Sequence, residues 1–78
     1  MAYFTTDDVH HAIRIILSDT AKYNTSLNYA VGYCQAALDM TDDGLRMQCP
    51  YILGNIEKWR HPRAKFVRIV LKSFSKFG

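Results

Sequence analysis

From residue 58 to its end the chain has no acidic residue. Its seven carboxylates all lie at or before Glu57, where only Arg14, Lys22 and Arg46 oppose them, a net of −4; the remainder carries seven basic side chains, +7. The overall charge of +3 therefore hides a boundary near residue 57. A surface that serves only solubility mixes its signs, so the one-signed C-terminal segment reads as a solvated face that is also suited to binding.

Cysteine is scarce. Cys34 and Cys49 show no C-x-x-C spacing, and a small secreted scaffold usually needs more bridges than one. They read as free thiols in a reducing cytoplasm, with a single 34–49 disulfide as the alternative. Unbroken apolar runs extend only a few residues, so neither a membrane span nor a secretory leader is expected. Gly-rich phosphate loops, paired catalytic carboxylates and Ser/His/Asp arrangements are missing. At 78 residues the core is too small to enclose an elaborate active site. The chain reads as one non-catalytic domain, 1–78, without a cofactor.

What the chain has is helical periodicity nearly throughout. Thr5-Thr6-Asp7-Asp8 offers a hydroxyl cap followed by acids in the first turn. Val9, Ala12, Ile13, Ile16, Leu17 and Thr20 then form an inward stripe, with His10, His11 and Arg14 outside it and Ile15 stranded among them. A second helix over about 26–40 is apolar around more than half its circumference, which predicts a central position. Thr41-Asp42-Asp43 starts a third helix, whose stripe Leu45, Cys49, Ile52, Leu53, Ile56 and Trp59 keeps one phase across Pro50. Proline there predicts a kink or a split. Arg60-His61-Pro62 is the next corner, and a two-faced helix follows from Pro62 to about Phe77. The expected fold is all-α, a compact bundle of four to five short helices.

Three stretches carry a likeness. Asn28 to Leu38 reads N-Y-A-x-x-Y-C-x-x-A-L, Leu45 to His61 reads L-R-x-Q-C-x-Y-I-L-x-N-I-x-x-W-R-H, and Ala64 to Phe74 reads A-K-x-V-R-x-x-L-K-x-F. Together they resemble small uncharacterised accessory proteins of bacteriophages, prophages and other mobile elements. The resemblance implies a protein that binds and blocks host machinery in the bacterial cytoplasm, as anti-CRISPR inhibitors of host defence do. It brings no assigned site residues. Pro50 departs from the pattern, in which an ordinary helix former follows the cysteine.

The residues themselves offer two candidate surfaces. Lys65, Arg68, Lys72 and Lys76 share one face of the last helix, and Lys58, Arg60, His61 and Arg63 join them at the preceding corner. Such a set could neutralise phosphates or meet an acidic protein surface. Base-reading Asn and Gln are absent from that helix, which argues against sequence-specific recognition. Met47 and Tyr51 lie away from the third helix's stripe and, with Ile15 and the Tyr29/Tyr33 flank of the second helix, suggest more apolar surface than four short helices can hide, hence a protein interface. Asp7, His10 and His11 have i, i+3, i+4 spacing but read as solvent-facing rather than metal-binding. The expected partner is a host protein or complex. Nucleic acid held by the basic helix is the alternative, and a homodimer is a third reading.

Overall fold

The structure is a computed structural model and describes residues 4–75. Among these residues the chain forms four α-helices and no strand: α1 (Thr6–Ser18), α2 (Ala30–Ala37), α3 (Asp42–Gly54) and α4 (Ala64–Ser75), with one 3₁₀ turn at Thr20–Lys22. The helices close a ring. α1 packs chiefly on α2 and α4, and α3 packs on the same two neighbours. A radius of gyration of 11.3 Å matches the value of about 11 Å expected for a compact chain of this length.

Local sequence explains the start of α1. Thr5 is extended and accepts from the Asp8 amide at 3.3 Å, while the Asp8 carboxylate accepts from the Thr5 amide at 2.8 Å. This reciprocal box satisfies two of the amides that a helix start leaves without partners. Val9, Ala12, Ile13 and Ile16 are fully buried as expected, but so, almost, is Ile15 at 8% exposure. Ile15 therefore does not belong to a surface patch. On a helical wheel it borders Ala12, and α1 must cover two neighbours, so its buried arc is wider than one stripe. His11, close to that edge, meets Phe66 of α4 edge to face, with ring centroids 6.5 Å apart.

His10 is a second correction. It is half-buried, and its Nε2 lies 3.1 Å from the Ala37 carbonyl and 2.9 Å from that of Met40. The ring thus pins the end of α2 to α1, meeting the Met40 carbonyl and the Ala37 carbonyl, which also accepts from the Met40 amide at 3.0 Å.

α2 is shorter and less central than its composition suggests. Only Ala30, Cys34 and Ala37 are buried along it, and Leu27 just before it; Tyr29, Gly32, Tyr33 and Ala36 face outwards. Residues 22–30 reach the helix through successive turns, among them Leu27 N–H to Lys22 O and Ala30 N–H to Leu27 O, both 3.0 Å.

α3 runs through Pro50 from Asp42 to Gly54, so it is not split there. The break comes after Gly54. Ile56 and Trp59 remain fully buried because turn steps of three residues, Ile56 N–H to Leu53 O and Trp59 N–H to Ile56 O, keep their side chains in the helical phase.

Buried residues from all four helices, with Leu27, Ile56 and Trp59 from the turns, make one core, and among the described residues no polar or charged residue is buried. No helix among the described residues is long and apolar enough to cross a membrane.

Candidate functional site

The corner between α3 and α4 is built around Trp59. Its indole is fully buried, and its Nε1–H donates to the Asp19 carboxylate at 2.8 Å. His61 stacks over it with centroids 5.2 Å apart and planes 23° from parallel. The Arg63 amide donates to His61 Nδ1 at 3.0 Å, which places the proton of the neutral ring on Nε2. Pro62 has no amide to satisfy and precedes α4 by two residues, while the Ala64 amide turns back to the His61 carbonyl at 2.9 Å.

Arg68 reaches the corner from α4, and one guanidinium nitrogen donates to the carbonyls of Ile56 and Trp59, both at 2.8 Å. These carbonyls lie in non-helical turns, where a charge-assisted donor is strongly held. Arg68 is half-buried and commits one guanidinium nitrogen to the protein itself. It differs in this from Lys65 and Lys72, which share its helix face and are exposed.

The basic residues consequently divide. Arg60, His61, Lys65 and Arg68 line an open cleft of about 510 Å³ together with Trp59, Pro62 and Ala64. Arg63 lies over the Phe66 ring at 5.5 Å. Lys58 lines a different depression beside Glu57, and Lys72 stands seven residues further along α4 from Lys65, about 10 Å away by helical rise. Lys76 and Phe77 lie outside the described residues. Among the described residues the one ion pair is Arg46 with Asp43 at 2.8 Å, so no cation of the corner is paired with a carboxylate; the Asp19 carboxylate lies behind the corner on the Trp59 indole.

A second surface spans α2 and α3. Tyr29, Tyr33, Met47 and Tyr51 are 75%, 40%, 73% and 58% exposed. Tyr29 and Tyr33, like Met47 and Tyr51, are spaced i, i+4 on one side of their segments. Tyr33 and Tyr51 stack across the two helices with centroids 5.7 Å apart and planes 10° from parallel. Gln48 Nε2 donates to the Tyr33 carbonyl at 3.1 Å. A groove of about 400 Å³ runs between Tyr29, Gly32, Tyr33, Ala36 and Gln48, and Met47, Pro50 and Tyr51 border a further depression. The sequence pointed to Met47 and Tyr51 and counted Tyr29 and Tyr33, the flank of the second helix, in the same apolar surplus; the structure places all four on one face. An eight-residue α2 at the rim of the bundle leaves Tyr29 and Tyr33 open.

Cys34 and Cys49 are free and buried. Burial pushes the Cys34 thiol up to about 12 and that of Cys49 to about 11, the latter opposed by the Arg46 charge. Both are protonated at neutral pH and neither is placed as a nucleophile. Among the described residues no three His, Cys, Asp or Glu side chains gather as metal ligands. No protein-family model, curated protein or solved structure matches the chain.

Proposed function

We propose that this is a non-catalytic binding protein that occupies the surface of a partner protein through its α2–α3 face. The observation that carries the reading is the contiguous exposure of Tyr29, Tyr33, Tyr51 and Met47, joined by the Tyr33–Tyr51 stack. Large exposed apolar groups gathered on one face of a small domain mark interaction sites, and tyrosine and methionine are enriched at interface cores. Tyrosine contributes wide contact area with few rotors to freeze. The resemblance to mobile-element proteins supplies the setting: a host protein or complex in the bacterial cytoplasm, blocked in the manner of an anti-CRISPR inhibitor.

A photo-crosslinking residue at position 47 tests the proposal in the host cell. The expected result is one dominant adduct with a host protein, which then binds the purified chain and loses at least tenfold in affinity when Tyr51 is changed to Asp. Adducts of equal yield from position 47 and from the exposed Asp7 on α1 would overturn the reading, as would a host partner indifferent to Y51D.

A further inference from the structure

We propose that the cleft at the α3–α4 corner is a nucleotide-binding site that holds a phosphate against Arg60 and Lys65 and a base against the open face of His61. The inference does not depend on the α2–α3 face. It rests on three features of one cavity. First, a cleft of about 510 Å³ falls within the roughly 300–1,000 Å³ of small-molecule sites. Secondly, its charge has one sign: Arg60, Lys65 and Arg68 line it, and Glu57, the last acid in the chain, lines another depression beside Lys58. Arg60 and Lys65 are exposed and have no carboxylate partner among the described residues.

Thirdly, the cleft contains a prepared aromatic platform. Trp59 is fully buried against His61, and of these two stacked rings lining the cleft only His61 is partly exposed and able to receive a base. Arg68 ties down the Trp59 carbonyl, and the Arg63 amide fixes His61 at Nδ1, leaving Nε2–H free to donate. A platform held from behind loses little freedom when a base stacks on it. Flat rings beside unpaired cations are the means by which single-stranded nucleic acids are held without sequence preference. A polyglutamate peptide would use the cations but has no aromatic ring to stack on His61. The site differs from a stripe along α4, because Lys72 lies outside it and Arg68 serves as a positioning residue.

The shared chemistry is a nucleotide unit, free or within a strand. Trp59, the only tryptophan, reports from the cleft itself. The full chain is titrated at low salt with adenosine monophosphate, an eight-nucleotide deoxyadenylate strand, inorganic phosphate and a glutamate octapeptide, following Trp59 emission. Saturable changes with the mononucleotide or the strand are expected; the tighter of the two identifies the source. For a strand neutralised by the two cations Arg60 and Lys65, raising salt from about 50 to about 200 mM weakens binding about sevenfold. The double change Arg60→Glu, Lys65→Glu lowers affinity at least tenfold while circular dichroism is unchanged. H61A reduces mononucleotide binding to the level of inorganic phosphate, and K72E leaves it within twofold. The proposal is overturned if neither nucleotide gives a saturable change, if the glutamate peptide binds equally well, or if K72E costs as much as the change at Arg60 and Lys65.

Discussion

Trp59 is the largest fully buried side chain, yet it carries a polar atom into the core. The Asp19 carboxylate, 2.8 Å from Nε1, resolves this conflict by supplying an acceptor from the residue that follows α1. Changing Asp19 to Ala leaves the indole N–H without its partner and should cost about 1–3 kcal/mol in urea unfolding. D19N keeps an acceptor oxygen and should cost less than half as much; equal losses would show that the carboxylate charge, not the bond, matters. The buried thiols make a pH prediction. Ordinary thiols titrate near 9, whereas Cys34 and Cys49 are raised to about 12 and 11 by burial. Above pH 9 the unfolded chain releases protons that the folded chain keeps, so stability falls as pH rises, by up to about 1.4 kcal/mol per pH unit per thiol. Below pH 9 both states keep these protons and the thiols add no slope. The double variant Cys34→Ala, Cys49→Ala should be less stable at neutral pH but show a flatter decline between pH 9 and 11.

At the scale of elements, Pro50 is the clearest local conflict, because it cannot donate to the carbonyl of Arg46 four residues earlier. α3 nevertheless continues to Gly54, held by Leu45, Cys49 and Ile52 in the core. Pro50 is exposed, so P50A removes no core contact and should raise stability by about 1–3 kcal/mol in thermal or urea unfolding; a loss would mean that the proline's own packing outweighs the missing bond. The start of α1 was legible in the sequence because a capping box is settled within four residues. Helix ends were not. Turns before Ala30 and after Gly54 leave Leu27, Ile56 and Trp59 fully buried although they lie outside the helices, so periodicity alone reads turn and helix alike. His10 was illegible for another reason: its partners, the Ala37 and Met40 carbonyls, are 27 and 30 residues away, and only the docking of α2 on α1 brings them near.

Across the whole molecule, the exposed aromatic groups follow from the small number of layers that 78 residues can build. With four helices in a ring, each covers two neighbours, and an apolar α2 at the rim has nothing left to cover Tyr29 and Tyr33. The sequence showed the surplus of apolar side chains and only part of its address: Ile15, counted in it, is buried in the core, while Tyr29 and Tyr33 join Met47 and Tyr51 outside. Likewise, the basic segment was plain from composition, but its division into a cleft, a cation over Phe66 and an internally bonded Arg68 required the corner to be folded. The open face leads to a prediction for the isolated chain. If it is reserved for a different protein, light scattering should give the 9.0 kDa of a monomer, and M47K should change unfolding stability by less than about 0.5 kcal/mol, as for an exposed side chain without core contacts. A mass about twice the monomer, falling back on M47K, would instead make a second copy of this chain the occupant: a two-fold pairing places the same patch on both sides, so one substitution would alter both halves of the contact.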